Sequence, residues 1–136
     1  MLNSLLNTSA IPALEEVLNF TEARHQVLAG NIANLDTPGS RTRDLDGRMF
    51  ESQLKDAISA RDHNHGADAS LGGGPPVSHF AHVRESLKAI VYHDQTNVGI
   101  EQQAMELSKN QIQHNIATTI LASQFQLLGA AISERA

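Results

Sequence analysis

The longest unbroken pattern in the chain runs from Asn97 to Ala136. Ile100, Ala104, Leu107, Gln111, His114, Thr118, Leu121, Phe125, Leu128 and Ile132 alternate steps of four and three, the spacing of a heptad seam along one α-helix. Met105, Ile112, Ile116, Ile120 and Leu127 form a second apolar line beside it. From Asn110 to Ser133 there is no Asp, Glu, Lys or Arg. An outer helix of a soluble monomer carries charges on its wet face, so this helix is expected to be contacted on several sides, by a partner helix and by other copies. Its Gln, Asn, Thr, Ser and His residues read as too polar for lipid, and no run of roughly 18 apolar residues stands out, so direct membrane insertion is not expected.

A second periodic stretch, residues 9–35, supplies the partner. Leu14, Leu18, Thr21, His25, Leu28, Ile32 and Leu35 repeat the four-and-three spacing, and Val17, Phe20 and Val27 widen the apolar side. Ser9 reads as the N-cap, Pro12 falls in the first turn, and Glu15, Glu16 and Glu22 lie toward the positive end of the helix dipole. The expected pairing seam is Leu14, Leu18, Leu28 and Ile32 against Leu121, Phe125, Leu128 and Ile132. Ile112, Ile116 and Leu127 are then left to face other subunits. His25 and His114 interrupt the two seams as polar residues that set register, a role more in keeping with their positions than catalysis.

Between the helices the chain turns sharply. In GNIANLDTPGSRTRD the carboxamides of Asn31 and Asn34 can bond nearby backbone, and Thr37 precedes a proline and is pushed out of the α region. Pro38 fixes φ, and Gly39 can take the positive φ that a type II turn requires at its third position. The first helix is therefore expected to stop near Leu35, with residues 36–47 as turn and loop. Arg41, Arg43, Asp44, Asp46 and Arg48 alternate in sign and read as a solvated loop whose surface pairs stabilise little. Met49, Phe50, Leu54, Ala57 and Ile58 predict a short helix over 48–60. Residues 61–96 begin with RDHNHGADASLGGGPPVSHF, a linker composition, and read as a flexible middle. Its AIVYH stretch suits a short strand or hairpin as well as a helix. Residues 97–136 complete the unit, with Asn97 as N-cap. The fold class is thus mainly α: long terminal helices paired as in a coiled coil, with a loop-rich middle.

Composition removes several functions. The 136-residue chain carries a net charge of -5 and no Cys, enough length for one modest core and no disulfides. Its basic residues are scattered, which argues against nucleic acid. The N-terminus has neither a basic start nor a continuous apolar run, so no cleaved signal peptide is expected. His63, His65, His79, His82 and His93 attract a metal reading, but His63-x-His65 lacks the paired spacing of familiar sites, and neither a metal nor a cofactor is expected. No phosphate-binding glycine loop, nucleophile elbow or zinc-protease motif is present, so the chain is not expected to be an enzyme.

The run LAGNIANLDTPGSRTRD resembles the N-terminal signature of the flagellar axial proteins, the rod and hook family. Asn31, Ala33, Asn34, Thr37, Pro38 and Gly39 match it residue by residue, and Ser40 stands where the family usually carries an aromatic. The C-terminal TNVGIEQQAMELSKNQIQHNIATTILASQF is similar to the ending of the family's proximal-rod branch. The resemblance implies a structural subunit whose terminal helices pair and pack with other copies and other rod proteins into a torque-transmitting tube. It also implies export through the flagellar type III apparatus without a cleaved signal, and a periplasmic position at the rod base beside a membrane-ring adapter. The alternative is a soluble helical binding module, an export chaperone or adapter, using the same apolar faces for one partner.

Overall fold

The computed structural model describes residues 9–66, 80, 83, 84, 87, 90–92 and 99–133. Among the described residues the main elements follow in the order α1 (Ile11–Ala33), β1 (Arg43–Leu45), α2 (Gly47–Gly66), β2 (Ile90–Tyr92) and α3 (Ile100–Ser133). The mainly α class and the pairing of two long terminal helices are as expected. At 34 residues α3 is roughly 50 Å long.

The first helix begins with Pro12 in its first turn, and the Ile11 N–H reaches the Ser9 hydroxyl at 3.3 Å, although Ala10 occupies the cap itself. It packs on two sides. Toward the middle of the chain, Phe20 stacks on Phe50 with ring centroids 4.1 Å apart, and these join Leu45, Ala57, Phe80 and Val83 in the apolar core. Leu28 is also buried. Toward the other side lies α3. The two long helices run antiparallel, since Asn31 meets Gln103 while Thr21 meets His114.

Three expectations are corrected here. The alternating charges after the turn do not form a solvated loop: Arg43, Asp44 and Leu45 form β1, paired antiparallel with β2 in the register Arg43↔Tyr92, Asp44↔Val91 and Leu45↔Ile90. The strand expected within AIVYH is thus present as β2, and Leu45 is sealed into the core. The helix expected over 48–60 starts one residue earlier and runs to Gly66, so residues 61–66 leave the expected flexible middle. It is capped by Asp46, whose carboxylate accepts the Met49 N–H at 3.0 Å, and it lies back along α1, where Arg61 reaches the Ser9 carbonyl at 2.8 Å. Finally, Glu16, placed toward the positive end of the helix dipole, is not in the first turn, where that dipole acts; it is buried, and its Oε1 accepts from Arg84 Nε at 2.8 Å. The proposed cap at Asn97 and the histidines at 79, 82 and 93 lie outside the described residues.

Candidate functional site

The chemistry of this molecule is concentrated where the turn, β1 and the two long helices meet. Asn34 closes α1, its backbone N–H and side-chain Nδ2 both donating to the Gly30 carbonyl, at 3.1 and 2.8 Å. Four residues then make a tight turn: the Ser40 N–H donates to the Thr37 carbonyl at 3.1 Å, with Pro38 second and Gly39 third at φ +82°. That is the type II arrangement, and the positive φ explains why glycine occupies the third place. Ala33, Asn34, Thr37, Pro38 and Gly39 are all exposed.

Asn31 differs from the other residues of the motif by pointing inward. Only 6% exposed, it accepts the Arg43 N–H through Oδ1 at 3.0 Å and donates through Nδ2 to the Arg43 carbonyl. The carboxamide thereby completes the edge of β1 as a neighbouring strand would. Its Nδ2 also donates to Gln103 Oε1 on α3 at 3.2 Å. Seven residues earlier on α1, Arg24 makes a parallel connection. Its Nε and Nη2 donate to the two carboxylate oxygens of Asp44 at 2.8 and 2.7 Å, and Nη2 also donates to Glu106 Oε2 at 3.0 Å. Lys109 donates to the other Glu106 oxygen at 3.0 Å.

These pairs are sheltered, unlike the exposed surface pairs expected for Asp44: the Arg24, Asp44 and Glu106 side chains are 15%, 19% and 26% exposed. Bonding to Asp44 raises the Arg24 pKa further above its ordinary value. The Lys109 bond, with Arg24 behind it, holds the Glu106 carboxyl below its ordinary value.

Farther along, the interface between the long helices stays polar. Asn110 Nδ2 donates to the Thr21 carbonyl at 2.7 Å, and the Thr21 hydroxyl lies 2.9 Å from His114 Nδ1 while donating to the Leu18 carbonyl. Beside them is a groove of about 500 Å³ lined by Thr21, Glu22, His25, Gln26, Asn110, Gln111 and His114. His114 thus occupies the seam as expected, but His25 is exposed on the groove's rim. No group of three or more metal-ligating side chains occurs among the described residues.

The seam is turned by one residue from the apolar line. The buried positions of α3 are Gln103, Asn110 and Ala117, spaced by sevens, with Leu107 and His114 half-buried between them and Leu121, Gln124 and Leu128 half-buried farther on. Of the expected pairing residues, Leu28 is buried, and Leu14, Leu18, Ile32, Leu121 and Leu128 are half-buried. Phe125 and Ile132 are 48% and 51% exposed. Their exposure follows from that rotation, since both lie one residue round the helix from the line through Ala117 and Gln124, whereas Leu128 beside them is half-buried.

Ile112, Ile116 and Leu127 lie on the far side of α3 from the seam, 59%, 54% and 63% exposed, in one stripe with Met105 and Ile120. By length and composition α3 is also apolar enough to cross a bilayer, which its scattered amides and hydroxyls had argued against. The residues missed by pattern reading are Arg24, Asp44, Gln103, Glu106 and Asn110. All are polar, and their only sequence signal is that Arg24 and Asn31 lie seven apart, on one side of α1.

No family model matches the chain. It is similar along nearly its whole length to proteins named flagellar basal body rod protein FlgB. The Salmonella typhimurium protein is 28% identical over 126 residues, covering 87% of this chain and 88% of its own length. That of Proteus mirabilis is 27% identical over 141 aligned residues, covering 98% and 99%. That of Aquifex aeolicus is 29% identical over 126 residues, covering 90% and 91%.

Proposed function

We propose, for a chain that belongs to the FlgB family of flagellar basal body rod proteins, an assembly mechanism built on the two faces of α3. The chain is a structural subunit of the basal-body rod. Its seam face holds α1 through Gln103, Asn110 and Ala117; its opposite face, with Ile112, Ile116 and Leu127, packs against other copies and other rod proteins. The observation that carries this reading is the stripe itself. Five large apolar side chains, 43–63% exposed, lie along a helix that has no charge from Asn110 to Ser133. Exposed apolar surface of that extent is characteristic of protein contact.

On this reading the exposed turn from Ala33 to Gly39 is a second contact between subunits, and Leu14, Leu18, Leu28, Ile32, Leu121 and Leu128 hold the long helices together. Phe125 and Ile132, one residue round α3 from the seam, are left to widen the contact surface. The subunit performs no catalysis and transmits torque as a building block. It reaches the periplasmic rod base through the flagellar type III apparatus, without a cleaved signal, and there meets the adapter that joins rod to membrane ring. Nothing in the geometry favours an export chaperone over a rod subunit.

The test is the double variant Ile116→Asp with Leu127→Asp, expressed in the native host in place of its own copy. Both side chains are already in solvent, so the isolated variant should keep the circular dichroism and melting of the parent while motility and rod assembly are lost. Motility at the parental level would remove the stripe from the interface. A chaperone would instead form a discrete complex at every concentration in sedimentation velocity, with no growth into larger assemblies.

A further inference from the structure

We infer that docking of α3 onto α1 and the setting of β1 and its turn are a single cooperative event, coupled through Arg24 and Asn31. The two residues occupy the same side of α1, seven positions apart, and each binds both neighbouring elements. Asn31 holds the Arg43 backbone and Gln103; Arg24 holds Asp44 and Glu106. Adjacent residues of β1 are thus tied to residues three apart on α3 through α1.

The coupling has a physical direction at each end. The Nδ2 group of Asn31 has two hydrogens, one on the Arg43 carbonyl and one on Gln103. If α3 leaves, a buried donor loses its acceptor, and the carboxamide must rotate or admit water to satisfy it. Either change disturbs the pair of bonds that holds Arg43. At the other end, Glu106 shares the Nη2 of Arg24 with Asp44, so its departure leaves the guanidinium held by Asp44 alone, without the second carboxylate that fixes its position between strand and helix.

The docking being coupled is also easily biased. None of the three buried residues of α3 is a large apolar side chain, and its seam residues Leu107, Leu121 and Leu128 are only half-buried, so the apolar area that opposes undocking is modest for a helix of this length. A contact that holds α3 down therefore also holds the turn in shape, and by reciprocity a contact on the turn favours docking of α3. Combined with the assembly reading above, a neighbour seated on the apolar stripe would prepare the turn for the next contact. That last step rests on the assembly reading; the coupling does not.

Backbone hydrogen exchange on the full-length soluble chain tests the coupling alone. Ala117→Asp places a charge in the seam about three turns from Glu106, the nearer of the two α3 residues linked to β1. The amides of α3 near Asn110 and those of Arg43 and Leu45 should then exchange together, about tenfold faster than in the parent, while the α2 amides around Phe50 and Ala57 stay protected. Faster exchange in α3 with β1 unchanged overturns the inference, as does no change in either. If the α2 amides also lose protection, Gln103→Leu decides, because it removes one carboxamide and keeps the bulk: faster exchange at Arg43 supports the coupling, and parental exchange there overturns it.

Discussion

Two asparagines of one motif, three positions apart, end in opposite environments. Asn34 is exposed and serves the end of its own helix, whereas Asn31 is buried and serves a strand 12 residues away. The difference follows from helical spacing, because a step of three residues at a helix end places Asn34 beyond the last turn while Asn31 still faces inward. Asn31→Ala should therefore cost much more than Asn34→Ala. Removing the first leaves the Arg43 backbone and Gln103 without partners, a loss of about 2–4 kcal/mol on the scale of buried unsatisfied groups; removing the second exposes a carbonyl to water at about 0.5–1 kcal/mol. Urea denaturation of the two variants checks the order, and equal midpoints would contradict the structural role given to Asn31. At Gly39, by contrast, the constraint is backbone sign alone, and nothing stands within 4 Å of an added Cβ.

At the scale of elements, the two long helices were legible because their apolar period is regular over many turns. Their mutual rotation was not. Tracing the largest apolar residues selects the line through Phe125 and Ile132, whereas the helices approach along Gln103, Asn110 and Ala117, where small or amide side chains permit close contact and hydrogen bonds. β1 was hidden because Arg43 and Asp44 read as solvent-seeking charges; Asp44 is sheltered only because Arg24 neutralises it from α1. The second helix was cut short because Asp, His and Asn resemble loop composition, although no Gly or Pro interrupts it before Gly66. The burial difference along the seam gives a direct comparison. Leu28→Ala, at a residue 1% exposed, should lower stability by about 2–5 kcal/mol. Leu128→Ala, at a half-buried position in the last turns of α3, should cost about 1 kcal/mol or less. Thermal melts of both variants measure the contrast, and a larger loss from Leu128→Ala would mean that the far end of α3 carries more of the fold than its burial indicates.

For the molecule as a whole, the charged network gives the fold an acid limit. Glu106 titrates below its ordinary value of 4.5 in the folded chain because Lys109, and then Arg24, bond its carboxylate. A depressed folded pKa means that this contribution is fully present above the unfolded value and disappears as the pH falls through the folded one. Stability should therefore decline as the pH drops below about 4.5, with α3 loosened first, and Glu106→Gln should flatten that decline. Urea midpoints measured from pH 6 to pH 3 decide it: identical slopes for parent and variant would exclude Glu106 as a source of the acid sensitivity. The family was legible from the turn motif and the ending of the chain, because those residue types serve a local backbone geometry that sequence displays. The polar contacts joining the turn to both helices were not, because they connect residues 12 to 82 positions apart.

The spacing of Arg24 and Asn31 also has a mechanical meaning. A strand pair fastened to a helix at one point can swivel about it, like a lever on a pivot. Fastened at two points, roughly 10 Å apart along the axis, it can swivel only by breaking one of them. A twist applied through the turn then passes into α1 as a force couple instead of being lost in rotation of the strands.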